Sequence, residues 1–227
     1  TTAPVANITT ANETWFNTRN ITLSFNLSDN MAASINYTFY DNGVPNITRS
    51  KPNPSYETTS WVFLSEGLTH IIILQAIDMA ANIINSTPIT VYFDNRSPTV
   101  TLTFPPDGNI SNNDTVTFNF TASDIDSPTL NCNLTIDGVV RKNYTALSNP
   151  NTVIETISGF SPGTHFWNVT CIDLAGNINS PIITRNFTVP KPDLLITSGN
   201  ITFDNYGAEE RQNITIFANV YNEGNIN

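Results

Sequence analysis

Histidine, the side chain most often used for acid–base catalysis and metal binding, occurs only twice in this sequence, at His70 and His165. The two residues lie 95 positions apart, and each directly precedes an apolar segment. A catalytic or metal site needs several groups that converge on one point. Two histidines a whole domain length apart do not converge, so we predict structural roles for both.

The best-spaced carboxylates are those of Asp124 and Asp126, because a D-x-D arrangement places both side chains on one side of a strand or loop. Oxygen ligands of this kind suit Ca²⁺, so the pair is a candidate calcium site. The segments Asp78–Asn82 and Asp173–Asn177 each supply a single carboxylate. Their Asp and Asn side chains can bond the main chain of a tight turn, and we predict turns at both places.

Sequence patterns that mark common active sites are missing. The chain contains no G-x-S-x-G, no H-E-x-x-H and no phosphate-binding glycine loop. Neither histidine is placed in the sequence to act as a general base for a serine or cysteine nucleophile. We therefore expect a protein that is not an enzyme and that carries no cofactor.

The two cysteines, Cys132 and Cys171, lie in alternating segments and share an inward face with apolar neighbours such as Leu134 and Val169. If these segments are the adjacent third and sixth strands of a seven-strand sandwich, the two sulfurs meet in the core. The resulting disulfide would fit an oxidising compartment. The alternative is a pair of separate buried thiols.

Acceptor triplets for N-glycosylation (Asn-x-Ser/Thr) are unusually frequent, with 17 among the 33 asparagines. Strand alternation explains part of the excess, because Asn and Ser or Thr then occupy successive outward positions. We expect several triplets to be glycosylated on a secreted surface. The candidate sites are Asn20, Asn26, Asn119, Asn133, Asn143, Asn168 and Asn186.

Composition excludes two classes of partner. The net charge is −10, and only 12% of the residues are charged. A chain without a basic stripe lacks the electrostatic footprint of nucleic-acid binding and is not attracted to anionic lipid. No apolar run reaches the ~18–20 residues that a membrane helix needs. We expect no nucleic acid and no membrane contact by this chain, which we interpret as a fragment of a larger protein.

Strict alternation of apolar and polar residues predicts β-strands with one buried face. The segments 21–27 and 116–122 both alternate in this way, and they belong to a repeat with an offset of about 95 residues. No segment has a helical apolar stripe. The repeat predicts an all-β fold of tandem immunoglobulin-like or fibronectin-III-like β-sandwiches.

The repeat divides the chain into residues 1–96, residues 97–190 and a remainder, 191–227. Proline-containing joints at 96–98 and 190–192 are short and stiff, which favours a rod of domains. The remainder does not follow the repeat and is too short for a complete domain. We predict that it is the truncated start of a third β domain.

The segments 132–138 and 163–177 resemble the immunoglobulin-like repeats of prokaryotic, especially archaeal, surface proteins. The resemblance covers about 190 residues. The remainder resembles the start of a CARDB-type domain, through Pro192-Asp193-Leu194 and Asn222-Glu223-Gly224. This resemblance implies an extracellular, cell-surface location.

Three functional hypotheses follow. The first is a non-catalytic stalk or adhesion segment of a larger cell-surface protein, whose partners are neighbouring domains and surface proteins or glycans. The second is a glycan-binding module, for which Trp15-Phe16 is the one aromatic pair outside the evident core pattern. The third is an accessory region of a secreted hydrolase.

Overall fold

The computed structural model describes residues 2–65, 67–191, 194–195, 199, 201–203 and 215–222, and over these residues it contains strands and no α-helix. Nine strands form the first sandwich: β1 (Val5–Ile8), β2 (Thr14–Phe16), β3 (Asn20–Ser28), β4 (Ser34–Asp41), β5 (Val44–Pro52), β6 (Ser55–Phe63), β7 (Thr69–Ile77), β8 (Ile83–Asn85) and β9 (Ile89–Phe93). No helix in the described part of the chain has the length and apolar character needed to span a membrane.

Eight strands form the second sandwich: β10 (Thr99–Phe104), β11 (Asn109–Ile110), β12 (Val116–Ser123), β13 (Thr129–Ile136), β14 (Val139–Ser148), β15 (Asn151–Ile157), β16 (Gly163–Ile172) and β17 (Thr184–Val189). Four short strands follow: β18 (Leu194–Leu195), β19 (Ile201–Phe203), β20 (Ile216–Ala218) and β21 (Tyr221–Asn222).

The two sandwiches share one topology. In the first, a sheet of order β1-β3-β6 faces a sheet of order β2-β9-β7-β4-β5, with β8 paired to β7. In the second, β10-β12-β15 faces β11-β17-β16-β13-β14. Each sandwich encloses its own apolar cluster. The predicted all-β fold of tandem sandwiches is confirmed.

The predicted strand register is also confirmed. Along β12 every second residue is buried, with Phe118 and Phe120 fully inaccessible and Asn119 and Thr121 half-exposed between them. β13 and β16 alternate in the same way. A period of two therefore sends the apolar set of each strand into the core.

Asn-Gly and Asp-Gly dipeptides close equivalent hairpins in the two sandwiches. Asn42 and Gly43 join β4 to β5 with φ angles of 49° and 80°, and Asp137 and Gly138 join β13 to β14 with 52° and 76°. Two positive φ angles define a type I′ turn, the connection that matches strand twist and favours these residues.

The longest strands that sequence alternation does not predict are β5 and β14, which both lie at the edge of the larger sheet of their sandwich. Their residues are mostly exposed, so neither strand alternates clearly. They carry Arg49, Lys51, Arg141 and Lys142, four of the nine basic residues of the chain. Basic side chains at an open edge oppose pairing with another chain.

The last strand of the second sandwich begins later than predicted. The sequence indicates a strand from Ile182, but β17 begins at Thr184, and both Ile182 and Ile183 are exposed. Beyond β17, β18 pairs with β21 and β19 with β20. Most of the motif behind the CARDB resemblance (Pro192, Asp193, Glu223 and Gly224) lies outside the described residues.

Candidate functional site

The loop between β12 and β13 is built around Asp124. The N–H groups of Asp126 and Ser127 each donate to Oδ1 of Asp124 at 2.8 Å. The amide of Asn149 braces the loop from the opposite side, since it accepts from the Asp124 N–H at 2.8 Å and donates to the carbonyls of Asp124 and Ser127 at 2.6 Å. Oδ2 of Asp124 is buried and has no hydrogen-bond partner.

The first sandwich repeats this loop at Asp29. Oδ1 of Asp29 accepts from the N–H groups of Met31 and Ala32, and Asn53 braces the loop as Asn149 does. Sequence reasoning missed both bracing asparagines. The signal that could have found them is the Asn-Pro pair, which occurs at Asn53 and again 96 positions later.

A second acidic group follows β16, in the predicted turn Asp173–Asn177. Oδ1 of Asp173 accepts from the Asn177 N–H at 2.8 Å, and Oδ2 accepts from the Asn177 side-chain amide at 2.8 Å. The same amide donates to the main-chain carbonyl of Asp94, also at 2.8 Å. Asn177 therefore ties the end of the first sandwich to the second.

Asp94, which directly follows β9, brings a third carboxylate to this junction. Its side chain is 1% exposed, Oδ1 accepts from the Arg96 N–H at 2.9 Å, and Oδ2 has no hydrogen-bond partner. One carboxylate oxygen each from Asp94, Asp124 and Asp173 lie within 4.8 Å of one another. Burial, reinforced by the charges of Asp124, Asp173 and Asp126, raises the pKa of Asp94 to about 6.

Asp126, the other half of the predicted D-x-D pair, takes a different role. Its Oδ2 lies 3.6 Å from Nε of Arg96, whose side chain is 58% exposed. An exposed pair of this kind contributes little to stability. The structure therefore gathers Asp124 with two distant aspartates and leaves Asp126 at the rim of the cluster.

The two histidines lie within hydrogen-bond distance of carboxylates at the ends of neighbouring strands and of main-chain carbonyls. Nδ1 of His165 lies 2.6 Å from Oδ2 of Asp137, and Nε2 lies 2.8 Å from the Ser161 carbonyl. In the first sandwich, Nδ1 of His70 lies 2.9 Å from Oδ1 of Asp41. Each histidine thus fixes a hairpin turn to the end of its sandwich.

The two pairs differ in their acidic partner by one position. The equivalent of Asp137 in the first sandwich is Asn42. Oδ1 of Asn42 accepts a hydrogen bond from the Ile71 N–H, and Oδ1 of Asp137 accepts one from the Phe166 N–H. The charge that meets His70 comes instead from Asp41, which is 2% exposed, whereas the Asp137 side chain is 46% exposed.

We expect the stabilisation that the His165–Asp137 pair gives the second sandwich to be lost at alkaline pH. Burial lowers the pKa of His165, but the Asp137 carboxylate and the Ser161 carbonyl outweigh it and raise the pKa above 6.5. A raised histidine pKa stabilises the fold below its unfolded value, and this contribution is lost as pH rises through the folded pKa. The Asp137 pKa is lowered, so its own contribution is lost only in acid, below 3.8.

His165→Gln tests this pH dependence through urea unfolding at several pH values. Near pH 5.5 the free energy of unfolding of the wild type should exceed that of the variant by about 1 kcal/mol. The difference is modest because water partly screens a charge-assisted hydrogen bond to a half-exposed partner. The difference should shrink by about pH 8.5. A difference that stays constant over this range would show that the histidine acts through packing alone.

The sulfurs of Cys132 and Cys171 are bonded in the structure. The two residues are direct partners across the antiparallel pair β13–β16, and both are buried. The bridge therefore joins two strands of one sheet within the core. The first sandwich has Tyr37 and Ala76 at these positions, again as direct partners.

The candidate glycosylation sites divide by position in the sheets. Asn20 at the start of β3 and Asn143 on the edge strand β14 are exposed. The rest are half-buried and lie on strands that have neighbours on both sides: Asn26, Asn119, Asn133, Asn168 and Asn186. The side-chain amide of Asn186 also donates to Asp107 at 2.8 Å.

Trp15, the aromatic residue behind the glycan-binding hypothesis, is half-buried. Its ring stacks on that of Tyr92, with centroids 4.5 Å apart and planes inclined by 24°. The neighbouring Phe16 packs against the core of the first sandwich. One face of the indole is therefore already covered by protein.

The topology defines this chain as a tandem of β-sandwiches of the fibronectin-III-like and immunoglobulin-like kind. It is similar to the fibronectin(III)-like modules of Clostridium thermocellum CbhA, with a TM-score of 0.51 and 15% identity over 82% of this chain and 94% of that one. No protein-family model and no curated protein matches the chain.

Two further solved structures give lower scores. Red sea bream transglutaminase has a TM-score of 0.30, with 10% identity over 84% of this chain and 32% of that chain. A chimeric titin Z1Z2-Z1Z2 tandem has a TM-score of 0.27, with 14% identity over 82% of this chain and 98% of that chain. Both scores are too low to indicate a shared arrangement of the whole chain.

Proposed function

We propose that this chain is a non-catalytic extracellular segment, a stalk or adhesion region of a larger cell-surface protein of the archaeal type. The observation that carries this proposal is the joint between the sandwiches. The end of β9 meets the β12–β13 loop and the turn after β16, and Asn177 bonds the Asp94 carbonyl across the joint. Sandwiches stacked end to end with a short joint suit a spacer.

The extracellular part of the proposal has independent support. A disulfide inside a sandwich core persists where the environment is oxidising, and Cys132 and Cys171 are bonded. The polar faces of the sheets use Asn and Thr in place of charges, and acceptor triplets reach exposed positions at Asn20 and Asn143. These features are typical of secreted surfaces.

The non-catalytic part has support from the way the recurring polar residues are used. Asp29, Asp124 and Asp173 bond the main chain of loops, and His70 and His165 are held between a carboxylate and a carbonyl. A general base must reach a substrate proton, and these ring nitrogens face protein oxygens. An accessory role beside a secreted hydrolase would use the same features. A catalytic domain encoded in the same gene would favour this role over that of a stalk.

Mass spectrometry of the protein from its native cells tests the proposal. We expect glycans on Asn20 and Asn143, and lower occupancy at Asn119, because a bulky glycan needs an exposed attachment point. Thiol alkylation without reductant should leave Cys132 and Cys171 unlabelled. An antibody against either sandwich should bind intact cells, while recovery of the chain only inside cells, with both thiols reduced, would contradict the proposal.

A further inference from the structure

We propose that Asp94, Asp124 and Asp173 form a Ca²⁺ site that joins the two sandwiches. The three residues come from separate parts of the chain: Asp94 follows the last strand of the first sandwich, and the other two lie in loops of the second. An ion held by all three would be bonded to both sandwiches at once. This site includes Asp124 of the predicted D-x-D pair but replaces Asp126 by two distant partners.

The unpartnered oxygen of Asp94 points to a missing ligand. A buried carboxylate oxygen normally accepts a hydrogen bond, because an unsatisfied one carries a large desolvation cost. Oδ2 of Asp94 has no such bond although the residue is 1% exposed, and Oδ2 of Asp124 is unpartnered as well. Two basic side chains line the cleft next to Asp94. Arg96 pairs with Asp126, and the guanidinium of Arg19 lies over the Phe93 ring.

The geometry of the cluster suits calcium. Ca²⁺ binds oxygen atoms at 2.3–2.6 Å, so two ligands on opposite sides of the ion are about 5 Å apart. The three carboxylate oxygens lie within 4.8 Å of one another, which places them within one such shell. All three ligands are carboxylates, a hard set that favours Ca²⁺ over metals that prefer nitrogen or sulfur.

The loops that present Asp124 and Asp173 are held in place by hydrogen bonds of their own. Asn149 braces the first and Asn177 braces the second, and Asn177 also reaches the Asp94 carbonyl. Binding therefore needs little rearrangement, which lowers its entropic cost.

The repeat supplies a matched control. Asp29 and Asp78 occupy the positions of Asp124 and Asp173 in the first sandwich, with the same loop hydrogen bonds and the same unpartnered Oδ2 at Asp29. Within the part of the chain that the structure describes, this pair has no third carboxylate like Asp94.

Isothermal titration of the full chain with CaCl₂ at pH 7.5 tests the site. We expect one ion per chain with a Kd of about 0.1–1 mM, the range of extracellular calcium modules. Asp94→Asn should weaken binding at least about tenfold, since affinity follows the charge count of the ligands. Asp29→Asn should leave the Kd within about twofold, because independent sites do not couple. Mg²⁺ should bind more weakly, as it demands shorter bonds and holds its water.

Several outcomes would overturn the inference. The first is the absence of any heat of binding up to 10 mM Ca²⁺, about ten times the upper expected Kd. The second is unchanged Ca²⁺ affinity in Asp94→Asn while both cores remain protected from hydrogen exchange. The third is an equal loss of Ca²⁺ affinity in Asp94→Asn and Asp29→Asn. Equal affinity for Mg²⁺ would overturn the assignment to Ca²⁺.

Stiffening of the joint is a consequence that rests on the proposed stalk function. Small-angle X-ray scattering with Ca²⁺ and with EDTA measures it separately. A narrower spread of chain dimensions with Ca²⁺ in the wild type, and no change in Asp94→Asn, is the expected result. Binding without any change in dimensions would leave the site intact and contradict its role in a stalk.

Discussion

Replacing Asp41 by alanine should destabilise the first sandwich by about 2–3 kcal/mol, because it removes a buried carboxylate that bonds the His70 ring and leaves that ring nitrogen without its partner. Both partners are inaccessible: His70 is 0% and Asp41 2% exposed, with Nδ1 and Oδ1 2.9 Å apart. Asp41 also accepts the Ser65 N–H at 2.8 Å, which the variant leaves without this bond.

Asp137→Ala is the matched control in the second sandwich. It removes the same type of contact from His165, but water can replace the half-exposed carboxylate, so we expect a loss of about 1 kcal/mol. Hydrogen exchange in increasing urea follows each sandwich separately and measures both losses. Equal losses for the two variants would contradict the argument that burial decides the effect.

Reduction of the Cys132–Cys171 disulfide should cost the second sandwich about 2–4 kcal/mol. The bond closes a loop with a sequence separation of 39, which restricts the unfolded chain. For a domain of this size the loss corresponds to roughly 10–25 °C in Tm. Calorimetry with and without reductant, or of the double variant Cys132→Ala and Cys171→Ala, measures it.

The first sandwich is the internal control for the disulfide experiment. It has Tyr37 and Ala76 in place of the cysteines, so a reductant should leave its transition unchanged. A reductant that shifts both transitions equally would mean that the two sandwiches unfold as one unit. A reductant that shifts neither would mean that the bond does not constrain the unfolded chain.

Strand alternation and turn residues made much of the fold predictable. Phe118 and Phe120 alternate with Asn and Thr, and a period of two leaves only one orientation that buries them. The Asn-Gly and Asp-Gly dipeptides that end at Gly43 and Gly138 indicate hairpin turns, because a type I′ turn needs residues that tolerate positive φ. These are local properties, so the sequence carries them directly.

The edge strands were not predictable in the same way. β5 and β14 pair with a neighbour on one side only, and most of their side chains meet water. Their sequences are therefore free of the alternation that burial imposes. Basic residues such as Lys51 and Lys142 made these segments look like loops, whereas they protect the open edge of a sheet.

The sequence by itself determined which residues enter each core, where the hairpins turn and which cysteines meet, since all of these follow from spacing along one strand or from one repeat. Only the tertiary structure decided that Asp41 and not Asn42 meets His70, because this depends on which side chain faces the core at the strand end. It also decided that Asp94 joins Asp124 and Asp173. These three lie up to 79 positions apart, and their meeting depends on how one sandwich stacks on the next, which no local pattern encodes.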